Sequence, residues 1–520
     1  MALVTNDWRI DVLMGIFTLS FLIYYKIKSI YSYFEKRNIK HVKGKFLLGS
    51  DPDMVFFKVH FTESWEKIYK KLENEKYGGF YQAIVPSIML RDPEYINFVL
   101  KTKFEHFYDR NFMVDEKRNP LDENLFFLRG NKWKYLRSKM TPLFSQVKLK
   151  WMYEQIVECA DIFDECIDKL RDGNDVDLNT LLKNFTADVT ASCGFGIEPQ
   201  ALKNPDWEFS DIGREFFDPN KMNMLIILLR FSIPHVFYWL KLGTVTNKVR
   251  HFFLSTTEKI LHQRRSTGVV RKDFVQLLLQ LKEKGTVEID SRETEKNKVD
   301  TETSNEVIEL TDNLLAAQSF AFFLAGYETT STTLYFTCYL LAKHPEIQER
   351  ARKEVQEIKA KYGQFTFESL KELKYLNYCI LESMRMYPAV PSVIRECTKD
   401  CTLPDGAVIE KGITIIVPIM SIHLDPNNYP EPMKYKPERF ENPPASGTYL
   451  PFGDGPRYCI GKRFAEVVML CIMARTLEKY KLESSTRDKN GDDIKLQPRG
   501  FTANPINGLW IRINKLNDSK

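Results

Sequence analysis

The sequence predicts a mostly α-helical protein: one large domain with small β-sheets, joined to an N-terminal apolar helix. Three observations carry that expectation. Long stretches repeat apolar residues at helical spacing and close on helix stop signals. The β-branched runs are short and lie beside glycine turns. An uncharged apolar run, Val12 to Tyr25, stands apart from the mixed composition that follows it. Hydrophobic residues make up 43% and charged residues 28%, which excludes a disordered, collagen-like or multi-span membrane chain. A length of 520 residues would permit several domains at roughly 150 residues each. No linker divides the chain, so residues 31–520 read as one domain and 1–30 as an anchor. The net charge of +5 is too mild at this length to argue for nucleic acid.

Taken in order, the first element is the run VLMGIFTLSFLIYY. Alone it is shorter than the ~20 residues a span needs. Trp8, Tyr24, Tyr25 and Tyr31 suit the interfaces and Lys26 and Lys28 suit snorkelling, so Ile10 to Ile30 is long enough to cross as one helix. No small-residue cleavage site follows, which favours a retained anchor over a removed signal. Lys26, Lys28, Lys36, Arg37, Lys40, Lys43 and Lys45 follow the run and only Arg9 precedes it, which places the body on the cytosolic side. Asp11 fits the alternative of a buried amphipathic helix.

Met224 to Leu240 is strongly apolar and broken by Pro234; core and a second membrane-contacting patch are both open to it. Lys284 to Glu306 is charged and Ser/Thr-rich and reads as a mobile surface loop. Leu314 to Ala342 is an apolar stretch that carries Glu328 and Thr329. His344 to Gly363 is a helix with Pro345 in its first turn, an Ile347, Ala351, Val355 and Ile358 face, and Gly363 as its stop. Short strands flank the turn at Glu410-Lys411-Gly412, with Ile413 to Val417 β-branched.

The nine cysteines form no C-x-x-C pair, and their spacing suits neither a disulfide scaffold nor a zinc ribbon. They imply a reducing compartment and small buried side chains. Cys459 is the exception. It lies in Pro451 to Ala465, PFGDGPRYCIGKRFA, where Gly453, Gly455 and Gly461 allow a bulky group to approach and Pro456 stiffens the loop. Helix-compatible sequence follows Gly461. A thiolate near a helix N-terminus is stabilised as an anion, and a single one suits an axial position on a heme iron.

On these residues the chain resembles the cytochrome P450 family. Phe452, Gly455, Arg457, Cys459 and Gly461 match the defined positions of its F-x-x-G-x-R-x-C-x-G heme loop. Ala325-Gly326-Tyr327-Glu328-Thr329-Thr330 resembles its oxygen-activating stretch, Glu382 to Arg385 its E-x-x-R motif, and Pro437 to Phe440 its P-E-R-F motif. Trp133 to Arg137 fits its W-x-x-x-R motif. The resemblance spans about residues 60 to 515. Asn119-Pro120-Leu121, Asn124-Leu125-Phe126, Leu143-Phe144, Asp273-Phe274-Val275 and Phe322-Phe323-Leu324 place it nearest the arthropod microsomal, detoxification-type branch. One departure is the missing proline-rich hinge after the anchor, where Val42-Lys43-Gly44-Lys45 stands.

The resemblance implies a monooxygenase with one heme b, ligated by Cys459, and electrons from NADPH through NADPH-cytochrome P450 reductase, with cytochrome b5 as a further partner. It implies endoplasmic reticulum membrane, cytosolic side, and a lipophilic small-molecule substrate. Thr329 and Glu328 take proton delivery; the plainer alternatives are a back-bonded hydroxyl and a structural ion pair. Trp133, Arg137, Arg395 and Arg457 take the heme propionates, because buried carboxylates need donors and arginine offers a fork. Glu382, Arg385 and Arg439 form a structural ion-pair network, and His423 is structural as well. Lys132, Lys134, Lys139, Lys462 and Arg463 form a basic docking face or simply a solvated one. Phe112, Phe126, Phe127, Val390 and Val393 are substrate-contact candidates in an apolar, roomy pocket. Two other classes stay open: a heme-thiolate isomerase or dehydratase that needs no reductase, and a heme binder or sensor without turnover.

Overall fold

The computed structural model describes residues 7–112, 114–170, 174–204, 206–218, 221–232, 234–285, 309–491 and 494–516. Its axis is the helix Asp312–Lys343, which covers the apolar stretch read from the sequence. Thr311 caps it, its side-chain hydroxyl accepting the Leu314 N–H at 3.1 Å. Nearly every residue of this helix is buried, the exceptions in its middle being Ala321, Leu324, Ala325, Gly326 and Thr329. It packs closely against the helix Leu178–Phe195: a Cβ on Gly326 would stand 2.5 Å from the Thr190 methyl. Gly326 is therefore used for close helix packing, and the helix runs unbroken through it.

The helix expected over His344 to Gly363 forms as Pro345–Tyr362, ended by Gly363 at φ 72°, a left-handed stop that glycine adopts without a Cβ penalty. The sequence after the Cys459 loop is helical over Lys462–Lys479. The largest sheet has four strands in the order Tyr77–Gln82, Val85–Leu90, Thr414–Val417 and Val393–Glu396. Its middle pair is parallel and its outer pairs are antiparallel. The two strands beside the 410–412 turn do not pair with each other. Val408–Ile409 pairs with Cys401–Thr402, while Thr414–Val417 enters the large sheet. A three-stranded sheet joins Asp175–Asp177, Trp510–Lys515 and Tyr480–Ser484. One apolar core surrounds the central helix and a second lies on the four-stranded sheet.

The N-terminal helix is Trp8–Tyr31, exposed along nearly its whole length, with a mean hydropathy of 1.6 over its most apolar window. By length and composition it is able to cross a membrane. Met224 to Leu240 falls on the helices Lys221–Ser232 and Pro234–Trp239, with Pro234 opening the second. The segment divides its loyalties: Leu225, Val236, Trp239 and Leu240 are exposed, whereas Arg230 and Phe237 are buried. Most of the Lys284 to Glu306 segment lies outside the described residues.

Candidate functional site

The Cys459 loop is held from both sides before any ligand is considered. Cys459 N–H donates to Phe452 O at 2.9 Å, and Gly453 N–H to Leu450 O at 2.9 Å. Gly455 has φ 69°, and a Cβ there would fall 1.8 Å from Leu100 O, so only glycine fits. His423 sits behind the loop: its Nε2 accepts the Leu450 N–H at 2.9 Å, and its Nδ1 lies 3.1 Å from Arg385 O. Both ring nitrogens are therefore engaged, with the proton on Nδ1. Burial, then Arg385, lowers its pKa to about 3. It is a neutral structural histidine, as read from the sequence.

Arg385 ties this hub to the E-x-x-R helix. It donates to both Glu382 oxygens, at 2.7 and 2.9 Å, and to His423 O at 2.8 Å. Glu382 also accepts from Arg439 Nε at 3.2 Å and Lys436 N at 3.0 Å. The expected three-residue network is present, with Glu382 and Arg385 wholly buried. Such a bidentate, fully satisfied pair fixes the loop's position.

Around the loop five guanidiniums gather from separate segments. Arg457 packs 4.2 Å over the Trp133 ring and donates to Leu128 O at 2.6 Å. Arg137, one turn after Trp133 on the helix Gly130–Met140, lies over the Tyr458 ring at 4.7 Å. Arg395 comes from the sheet strand Val393–Glu396 and donates to Ile394 O at 2.9 Å. Arg110, not singled out in the sequence, donates to Phe126 O at 3.2 Å and Arg457 O at 3.3 Å. Arg129 pairs with Asp109 at 3.0 Å and Glu396 at 2.7 Å. Arg457 reaches Asp109 at 3.6 Å, but Arg110, Arg137 and Arg395 form no ion pair among the described residues.

Four of the five guanidiniums are depressed, whereas in Arg129 the effect of burial is outweighed by Glu396 and Asp109, which raise it. Burial, then Arg110 and Arg395, lowers Arg457 to about 8. Burial also lowers Arg110 to about 10, and moves Arg395 well down with Arg110 adding to it. Arginine keeps its proton in proteins, so the cluster is a demand for anions. Buried Arg395 Nε and Arg457 Nε have no hydrogen-bond partner among the described residues. Five guanidiniums face two carboxylates; two heme propionates would offset two of the remaining three charges. The donor set thus fits a heme. Burial pushes the Cys459 thiol up, while the Gly461 N–H and the Arg137 and Arg110 guanidiniums favour its thiolate. A bound metal would deprotonate it outright.

On the central helix, Ala325 is exposed and Thr329 half-buried, so the one open face of a buried helix is the oxygen-activating stretch of the resemblance. Thr329 Oγ1 donates to Ala325 O at 2.5 Å, the back-bonded arrangement weighed for it in the sequence. Glu328 is fully buried and its Oε1 receives Lys183 Nζ at 3.0 Å, Asn504 Nδ2 at 2.6 Å and Thr502 Oγ1 at 3.1 Å. Its Oε2 has no partner among the described residues. Lys183 gave no local signal, because its partner lies far along the chain.

Phe112, Phe126 and Phe127 form one ring cluster with centroids 4.9 to 5.8 Å apart, and Arg110 lies 4.1 Å over Phe126. Val390 is half-exposed and Val393 buried on the strand that carries Arg395. Above the rings, Arg230 approaches Phe112, Phe127 and Phe237 and pairs with Asp122 at 3.5 Å. The basic face is mixed: Lys132 pairs with Glu116 at 2.5 Å and Lys462 with Glu466 at 3.9 Å, while Lys134 and Arg463 are exposed.

The comparisons with known proteins agree with this geometry. The sequence model of the cytochrome P450 family matches residues 49–511. Cytochrome P450 9e2 of Blattella germanica is 33% identical, over 93% of this chain and 94% of its own length. Probable cytochrome P450 6a13 of Drosophila melanogaster is 32% identical over 98% and 99%. Cytochrome P450 6d1 of Musca domestica is 32% identical over 95% and 97%. With the cysteine loop, the guanidinium cradle and the open helix face in one fold, the chain belongs to the cytochrome P450 family, the heme-thiolate monooxygenases.

Proposed function

We propose that the protein is an endoplasmic reticulum monooxygenase, held by the Trp8–Tyr31 helix with its catalytic domain on the cytosolic side. It inserts one oxygen atom from O2 into a lipophilic small molecule, a xenobiotic or an endogenous lipid or hormone. The observation that carries this reading is the single open face of the central helix, Ala325 and Thr329, in a domain whose glycine-framed cysteine loop carries a cradle of arginines, three of which, Arg110, Arg137 and Arg395, form no ion pair among the described residues. Cys459 Sγ would ligate the heme iron, and Trp133, Arg137, Arg395 and Arg457, joined by Arg110, would hold the propionates. When bound, heme b supplies the oxygen chemistry, using electrons from NADPH passed on by NADPH-cytochrome P450 reductase, with cytochrome b5 as a second donor. The rings of Phe112, Phe126 and Phe127 exclude water and offer apolar contact to the substrate.

Thr329 holds the proton delivered to the reacting oxygen at Oγ1. Ala325 O keeps that hydroxyl in place between deliveries. Glu328 precedes it in the chain; three donors hold Oε1 and Oε2 has no partner among the described residues, so its part in delivery would run through Oε2. Lys183, Asn504 and Thr502 are its positioning residues. A difference-spectrum screen of a compound library identifies a ligand, and turnover is then run with isotopically labelled O2. One labelled atom in product, dependent on NADPH and reductase, is the expected result. Rearrangement of a peroxide without NADPH would instead assign an isomerase or dehydratase, and spectral binding without turnover a sensor.

A further inference from the structure

We propose that Tyr31 is a rigid joint that makes the N-terminal helix and the heme domain one body, with the loop after it, Lys43 to Leu47, resting on an anionic lipid surface. The inference rests on reading Trp8–Tyr31 as the membrane helix and concerns how that helix is coupled to the domain.

Tyr31 is the last residue of the helix. Its hydroxyl lies 2.9 Å from Lys45 O and 3.0 Å from Ala83 O, to which it donates, and it accepts the Gly49 N–H at 3.2 Å. Tyr81, on the strand Tyr77–Gln82, donates its own hydroxyl back to Tyr31 O at 2.8 Å, and the two rings meet edge-on at 4.8 Å. The ring lies against Gly44, where a Cβ would fall 2.3 Å from a ring carbon. The joint therefore needs glycine on one side and tyrosine on the other.

The chain does not loosen after the helix. Phe34 is fully buried over Gly79, where a Cβ would meet its ring at 2.5 Å. Gly79 N–H then donates to Lys40 O at 2.8 Å, and Val42 N–H to Gly79 O at 2.9 Å. Backbone pairing with the sheet thus begins nine residues after the helix end, and buried Phe34 and Ile39 hold the stretch between, so that no free segment remains to act as a hinge. A tilt of the helix is passed to the domain.

The loop beside the joint is built for the boundary of a bilayer. A tight turn, with Lys45 N–H donating to Gly49 O at 2.8 Å, turns Phe46 and Leu47 outward, 47% and 49% exposed. Lys43 and Lys45 are exposed next to them. Phe46 also touches Tyr24 of the helix, with ring centroids 5.7 Å apart. Two apolar side chains flanked by two ammoniums, at the end of an apolar helix, match the acyl–headgroup boundary of an anionic leaflet.

The full-length holoprotein is placed in nanodiscs of phosphatidylcholine with phosphatidylserine. Tyr31→Ala and Gly44→Leu attack the joint from its two sides. Hydrogen exchange over residues 26–34 should speed about tenfold in each, the worth of roughly one net hydrogen bond. Heme linear dichroism in oriented bilayers should fall towards the disordered value. Both variants should keep a normal reduced-CO spectrum and still sediment with membranes. Wild-type exchange and dichroism in both variants would overturn the joint. Exchange over 43–48 should slow when phosphatidylserine is added to pure phosphatidylcholine; no change would overturn the lipid contact. A wild-type protein that does not sediment with membranes would refute the anchor reading instead, and exchange in solution would still decide the joint.

Discussion

Thr329→Ala separates proton delivery from every other role in this site. The hydroxyl it removes makes one internal bond, to Ala325 O at 2.5 Å, on the open face of an otherwise buried helix. A back-bond of this kind contributes little to a helix. The bond that Thr333 Oγ1 donates to the Thr329 carbonyl at 3.0 Å survives the change. Stability, heme content and the reduced-CO spectrum should therefore stay at wild-type values. What is lost is one hydrogen bond to a group carrying charge, worth about 1.5 kcal/mol or more. Applied to the choice between product formation and release of hydrogen peroxide, that is about a tenfold fall in product per NADPH. The assay measures NADPH consumed, product formed and hydrogen peroxide released with one good substrate. NADPH use should continue while product falls and peroxide rises, and Thr329→Ser should restore most of the coupling. Added peroxide should still support turnover, because it bypasses reduction and the first protonation. Wild-type coupling in Thr329→Ala would refute the reasoning and leave delivery to Glu328 or water.

Four further outcomes are expected. Cys459→Ala should abolish the far-red-shifted Soret band of the reduced, CO-bound protein, which depends on thiolate opposite CO. Removal of residues 2–30 should leave a folded heme domain, partly membrane-associated through the exposed apolar side chains of Met224 to Leu240, as tested by sedimentation after high-speed centrifugation. Glu382→Gln should cost about 3–5 kcal/mol by leaving buried Arg385 uncompensated, read as a lower denaturant midpoint and less heme per polypeptide. Asp122 is raised to about 6 by burial, with Arg230 acting against the shift. Its acid form is favoured in the folded state, so it withdraws stability as pH climbs from about 4, its unfolded value, to about 6. Asp122→Asn should show a smaller decline over that window in thermal midpoint against pH.

Sequence reasoning reached the elements whose causes are local. Pro345 and Gly363 bracket a helix because one lacks an N–H that the first turn does not need and the other reaches φ 72° without strain. The Cys459 loop was legible because three glycines and a proline around one thiol have few other uses. Glu382 and Arg385 were legible as an i,i+3 pair, although Arg439 entered through the family resemblance alone. The partners of the strands around the 410–412 turn were not legible. Val408–Ile409 and Thr414–Val417 go to different sheets, and nothing in a short β-branched run names its neighbour. Gly326 illustrates a different limit: the reason for a glycine in the central helix is the Thr190 methyl across the helix interface, a neighbour that the local sequence does not name.

The cradle around Cys459 shows where one-dimensional reading stops and what replaces it. Arg110, Arg129, Arg137, Arg395 and Arg457 come from loops, a helix and a sheet strand, and each alone resembles a solvated arginine. Arg110 follows Asp109 in an irregular segment with no periodicity to mark it, and only proximity to Arg457 reveals it. Like charges buried together oppose folding unless anions join them. Asp109 and Glu396 answer part of that charge through Arg129. The two propionates of a heme held here would match most of the remainder. Heme would then serve as counter-charge as well as catalyst, and its binding would add to the folding free energy of this region.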